Sequence, residues 1–205
     1  MNINEIKHKL KNFIIFSTQD IKKADPNFYN QRLSEWQKRG IIVKLRKKYY
    51  TFSDLEFDER SLFLIANTIY PPSYISLEVA LSFYNLIPEG VYSITSVSSN
   101  KTDDFQTKFG RFTYQHIKPQ LFFGYRFDQH EGRSIKIAEP EKAVLDFLYL
   151  NPSLKTRDDF SELRVNEHEF KAVISKSKLL KYSHQFNNKS LAKRLNTLLK
   201  TLDYA

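Results

Sequence analysis

Apolar positions near the start of the chain recur at helical spacing. Ile3, Ile6 and Leu10 form one stripe in NINEIKHKLKN, residues 2–12. In FSTQDIKKA, residues 16–24, Ser17 or Thr18 stands where an N-cap is needed, and Asp20 falls in the first turn, where the helix dipole favours an acid. Asp25-Pro26 interrupts the pattern and offers a proline to open the next helix. The spacing predicts a third helix from about Asn27 to Arg39, with Tyr29, Leu33 and Trp36 inward and Gly40 as its stop. The period then changes. GIIVKLRKKYYTF, residues 40–52, reads as two strands at about 41–45 and 48–52.

Three short helices followed by a hairpin is the order of a winged helix-turn-helix, expected over residues 1–55. Residues 53–60, SDLEFDER, are polar and acidic and mark the boundary. The next part alternates between the two periods. Helices are expected from Glu59 to Ile69, ended by Tyr70-Pro71-Pro72, from Ser76 to Asn85, and from Pro140 to the Asn151-Pro152 break. Strands are expected over Val91–Ser98, in a hairpin over Phe105–Ile117 around Gly110, and over Leu121–Phe127 and Ser134–Ala138. Two more helices are expected to close the chain. The first starts at Asn166 with Glu169 three residues on; the second carries Leu191, Leu195, Leu198, Leu199 and Leu202 on one stripe. The fold class expected is α+β: the winged unit, a mixed α+β domain over 56–165, and basic C-terminal helices over 166–205 packed on it.

Charge divides along the same lines. Residues 1–55 hold 12 Lys+Arg against 5 Asp+Glu, residues 56–170 hold 12 against 17, and residues 171–205 hold 8 against 1. A strongly basic unit of this size points to nucleic acid or an anionic surface. The basic tail admits three readings: packing on the acidic middle, a dimer seam, or a second DNA-contacting surface built on Lys189, Lys193 and Arg194. Packing is the ordinary use of such a leucine stripe.

Opposite the apolar face of the third helix, the same winding places Asn27, Gln31, Ser34 and Lys38, with Glu35 at the edge. Asn and Gln can bond adenine in two places and Lys can reach guanine or phosphate, so this face suits base edges. The hairpin carries Lys44, Arg46, Lys47 and Lys48 with no acid among them. Beside a reading helix, such cations displace counterions from the phosphate backbone without reading sequence. Thr18 and Gln19, at the start of the second helix, could add backbone contacts.

Other chemistry finds little support. The chain has no cysteine, which excludes disulfides, zinc–cysteine sites and thiol catalysis. Its five histidines show no metal-ligand spacing, and its five glycines make no phosphate-binding loop. Lys142 and Asp146 are four apart on a helix and are expected as a surface pair. Glu139 and Glu141 flank Pro140 in a first turn, where the dipole favours acids. Asp103 and Asp104, with Gln106 and Lys108, are too close together in sequence to converge on a nuclease metal. No enzyme, cofactor or metal is expected. No apolar run approaches the roughly 18 residues of a membrane helix, and NFIIF is too short for a signal-peptide core, so a cytoplasmic protein is expected.

YPPSYISLEVALSFYNLIP at residues 70–88, SITSVSSNK at 93–101 and IAEPEKAVLDFLYL at 137–150 together resemble the AbiEi family, the antitoxins and transcriptional regulators of bacterial AbiE abortive-infection systems. The resemblance covers most of the chain to about residue 150. It implies a winged helix-turn-helix, a C-terminal antitoxin domain, autorepression through inverted repeats of operator DNA bound by two copies, and neutralisation of a nucleotidyltransferase-like toxin without a stable complex. The sequence departs from the pattern at Val79 and Ser98, and has no glycine between Gly40 and Gly90 to turn the wing. A tight two-residue primed turn is therefore not expected. Two alternatives stand beside this reading: a nucleic-acid-processing enzyme guided by the winged module, and a protein-binding adaptor.

Overall fold

The computed structural model describes residues 1–88 and 93–204. The N-terminal unit contains α1 (Ile3–Lys9), β1 (Phe16–Ser17), α2 (Thr18–Ala24), α3 (Gln31–Lys38), β2 (Ile42–Arg46) and β3 (Tyr49–Phe52). The three strands form an antiparallel sheet in the order β1-β3-β2. Ile6, Leu10, Phe16, Ile21, Phe28, Leu33, Trp36, Ile42, Tyr50 and Phe52 fill its core.

Local chemistry accounts for these elements. Asn2 and Ser17 each cap a helix reciprocally with the acid three residues on, Glu5 and Asp20. α3 ends in a Schellman arrangement: Ile41 N–H donates to Trp36 O at 2.9 Å, Gly40 N–H donates to Gln37 O at 3.0 Å, and Gly40 has φ +67°. Its start differs from expectation. The helix begins at Gln31, so Asn27 lies in the preceding turn and Tyr29 is 73% exposed rather than inward. Phe28 takes the buried place, packing on Trp36 with ring centroids 5.2 Å apart.

The second unit comprises α4 (Glu59–Ile69), β4 (Ser73–Ile75), α5 (Leu77–Phe83), β5 (Ser93–Ser98), β6 (Asp103–Thr107), β7 (Gly110–His116), β8 (Tyr125–His130), β9 (Arg133–Ala138), α6 (Pro140–Leu150), α7 (Arg157–Glu162), α8 (Glu167–Val173), α9 (Lys176–Phe186) and α10 (Lys189–Thr201). Its six strands run β6-β7-β5-β4-β9-β8, with β5/β7 and β4/β9 parallel and the rest antiparallel. Strand alternation puts helices on both faces. Tyr114 donates its hydroxyl to Ala66 O in α4 at 2.8 Å, and Tyr74, opposite in phase, reaches Asp146 in α6 at 2.9 Å.

Two sequence expectations change here, and one short strand is new. The strand placed at Leu121–Phe127 begins at Tyr125, because Pro119–Leu121 forms a 3₁₀ turn. Four helices follow α6 instead of two. β4, three residues long, is too short to show a period. Val91 and Tyr92, the start of one expected strand, lie outside the described residues.

The leucine stripe of α10 is buried in the same core as the sheet and α6. Arg194 lies among these leucines, donating to Leu148 O and, at 3.0 Å, to Asn151 O. It thus satisfies carbonyls that the C-terminal end of α6 leaves without helical partners. Arg194 is buried and is not part of a DNA-contacting surface.

Each edge strand of the large sheet makes contacts beyond the sheet. β2 lies alongside β6, where Arg46 meets Asp103. On β8, the outward N–H of Gln129 donates to Asp128 Oδ1 at 3.0 Å and its carbonyl accepts from Arg60 at 3.4 Å.

Candidate nucleic-acid interface

The outward side of α3 presents Gln31, Ser34, Glu35 and Lys38, all exposed. Leu33 and Trp36 hold the opposite side in the core. Glu35 is engaged by Arg39 at 3.4 Å, an exposed i,i+4 pair of small energetic weight. Gln31, Ser34 and Lys38 have no side-chain hydrogen bond or ion pair among the described residues, so their polar groups are open to a partner. Asn27 is also exposed, but it belongs to the turn before α3 and not to the face on which the sequence placed it.

The hairpin is tied to the start of α2. Thr18, the first residue of α2, donates its backbone N–H to Lys48 O at 3.2 Å. That amide is therefore unavailable to phosphate, whereas the neighbouring Gln19 side chain is exposed. Two residues, Lys47 and Lys48, close the hairpin without glycine: Lys47 takes φ +37° and the register slips between Lys44 and Arg46. The bulge adds the twist that two left-handed residues would otherwise supply.

Lys44, Lys47 and Lys48 are exposed and have no acidic partner among the described residues. Arg46 is not with them. Its side chain is 16% exposed; it donates to Asp103 Oδ2 at 2.9 Å and to Ile69 O at 3.2 Å, and lies over the rings of Tyr70 and Phe105. The sequence counted four cations at the tip, and the structure leaves three. Strand alternation alone would put Lys44 and Arg46 on one side, and the bulge between them separates the two. Bulges leave no mark in sequence period.

A second constellation was misjudged. Lys142 and Asp146 are both fully buried and paired with each other. Tyr74 and Ser76 donate their hydroxyls to Asp146 Oδ2, each at 2.9 Å, and Lys142 Nζ lies 2.8 Å from Tyr74 Oη. Burial pushes Lys142 down and Asp146 up from their ordinary values, and each charge opposes the other's shift. Serine, lysine and tyrosine could serve nucleophilic chemistry, but none of the four side chains is exposed, so the network pins β4 to α6. Tyr74 and Ser76 lie in PPSYISLE, and Lys142 and Asp146 in IAEPEKAVLD. Two stretches distant in sequence are thus two sides of one buried network.

The remaining carboxylates are also structural. Glu139 accepts from Tyr182 at 2.5 Å and from Lys178 at 2.9 Å; Glu141 accepts from Ser175 N–H at 2.9 Å. Together they dock the start of α9. Burial and the adjacent Glu139 push Tyr182 up to about 12. Asp103 and Asp104 point to different arginines, Arg46 and Arg111, and do not converge. No group of three His, Asp or Glu residues suited to a metal occurs among the described residues, and none of their helices is long and apolar enough to cross a membrane.

No protein-family model matches this chain, and no curated protein matches it.

Proposed function

We propose that this chain is a DNA-binding transcriptional repressor whose N-terminal unit acts as a winged helix-turn-helix. One observation carries the reading: an α3 face of unpaired Gln31, Ser34 and Lys38 stands in the same small unit as a hairpin tip bearing unpaired Lys44, Lys47 and Lys48. Such a division suits base edges on one side and phosphates on the other. The element order, helix–strand–helix–helix–hairpin with a three-stranded sheet, supports it. In this reading α3 enters the major groove and the wing follows the backbone, with two copies on an inverted repeat.

The antitoxin half of the proposal rests on the AbiEi resemblance: the second unit counteracts a nucleotidyltransferase-like toxin in the bacterial cytoplasm. The test for DNA binding is a titration of the full chain against the DNA upstream of its own gene and a scrambled duplex, over a range of salt. Preference for the upstream DNA, with affinity falling steeply as salt rises, is the expected result. Equal, weak binding to both would favour the adaptor reading. Co-expression with the product of an adjacent nucleotidyltransferase-like gene tests the antitoxin role, with restored growth expected.

A further inference from the structure

Tyr29 is the most exposed of the large hydrophobic side chains among the described residues, at 73%, and burial does not explain it. Its position is nevertheless firmly set. Tyr29 O accepts from Arg32 N–H at 3.1 Å and Asn30 O from Leu33 N–H at 3.0 Å, so the lead-in to α3 is fixed by the helix it precedes. The preceding Phe28 is buried on Trp36, and the Arg32 guanidinium lies over both rings, at 5.4 and 5.0 Å from their centroids. With Phe28 anchored inward, Tyr29 is presented outward on a rigid base.

Its neighbours share this openness. Asn30 holds the N-cap position of α3, yet its side chain makes no cap hydrogen bond. A capping Asn normally uses its side-chain oxygen on the helix N–H groups. Here both ends of the amide remain available. Gln31 follows, exposed and unbonded. An unsatisfied Tyr–Asn–Gln run therefore sits at the N-terminal end of α3, the part of a reading helix that meets base edges.

Resting on the DNA-binding proposal, the geometry points to Tyr29, Asn30 and Gln31 as the base-reading cluster, with the Tyr29 ring seated against the 5-methyl group of a thymine in the major groove. Asn30 and Gln31 have the donor–acceptor pair that fits adenine, and an apolar surface is what a thymine methyl accepts. The preferred site then contains A·T pairs where the start of α3 lies, and Lys38, at the far end, contacts phosphate.

The test uses the full chain and a duplex selected by it from a random pool. Each thymine is replaced singly by uracil, which deletes the methyl and nothing else. Wild type should lose about fourfold in affinity at one or two positions, the value of one buried methyl. Tyr29→Ala should lose a similar factor on thymine DNA and be indifferent to uracil there, while Tyr29→Phe keeps the discrimination. An unchanged melting temperature for Tyr29→Ala shows that the fold is intact. If wild type selects a sequence but Tyr29→Ala keeps its affinity and its thymine–uracil discrimination, this inference is wrong and the DNA-binding proposal stands. If wild type enriches no sequence at all, both fall together.

Discussion

Arg46 in β2 and Asp103 at the edge of the large sheet are joined at 2.9 Å, with the guanidinium laid over Tyr70 and Phe105, 4.4 and 4.0 Å from their centroids. Ile14, Ile15 and Leu45 of the first unit extend the contact into the core of the second. The hairpin is thereby fixed to the second unit by a side chain that sequence alone groups with the exposed cations. Arg46→Met should lower stability to urea by about 1–2 kcal/mol through the lost cation–π and hydrogen-bond contacts. It should leave the salt dependence of DNA binding unchanged.

If the proposed DNA binding holds, the three remaining hairpin cations should behave in the opposite way. Replacing Lys44, Lys47 and Lys48 by Ala should reduce the slope of log K against log salt by about 3, roughly one per contact, on any duplex sequence. Stability should hardly change, because all three side chains are exposed and unpaired. A slope that did not move would place the hairpin off the DNA.

Much of this division could be read from the chain before its structure. The caps at Ser17 and Asn166, the stop at Gly40 and the spans of α4 and α6 follow from short-range chemistry, which sequence displays directly. What it misplaced depends on distant partners. The apolar phase of α3 was extended backwards through a turn that is not helical, which turned Tyr29 inward and put Asn27 on the wrong face; reading Asn30 as the cap would have reset the phase. Lys142 and Asp146 read as a surface pair because their burial is imposed by Tyr74, Phe123 and Phe186. No local pattern announces an environment assembled from segments so distant along the chain.

That buried pair gives a third prediction. Asp146→Asn leaves Lys142 charged and without a counter-ion, and should cost about 3–5 kcal/mol in chemical unfolding. Removing every polar member together, by Lys142→Met, Asp146→Leu, Tyr74→Phe and Ser76→Ala, should recover much of the loss, since well-packed apolar groups can replace a buried ion pair.

Gly124 lies against the same lysine. It has φ +71°, and a Cβ there would meet the Lys142 side chain at 3.0 and 3.1 Å and Tyr182 at 3.1 Å. Gly124→Ala should therefore destabilise by about 1–3 kcal/mol, through overpacking and an unfavourable backbone angle together. A thermal melt compared with Gly132→Ala isolates the packing part, because Gly132 shares the φ of +71° but has open space around it.

The docking of α9 should depend on pH. Burial alone pushes the Glu139 carboxyl up, but the hydrogen bonds from Tyr182 and Lys178 outweigh it and hold the group below its ordinary value of 4.5. A carboxyl held low by folding contributes stability above its unfolded value and loses it as the pH falls through its folded value. Urea stability should thus decline below about pH 4.5. Glu139→Gln should be less stable at neutral pH and show a shallower acid decline.

The contact between β2 and β6 bears on how the protein can be dissected. A fragment beginning after the hairpin would lose Leu45 from its core and expose the side of β6 that Arg46 meets. An uncovered strand of this kind is a template for pairing between molecules. Such a fragment would be expected to associate or precipitate, and its inactivity would then report insolubility rather than a missing DNA contact. Substitutions at the surface, which leave the first unit in place as a lid, are the sounder way to separate the two roles.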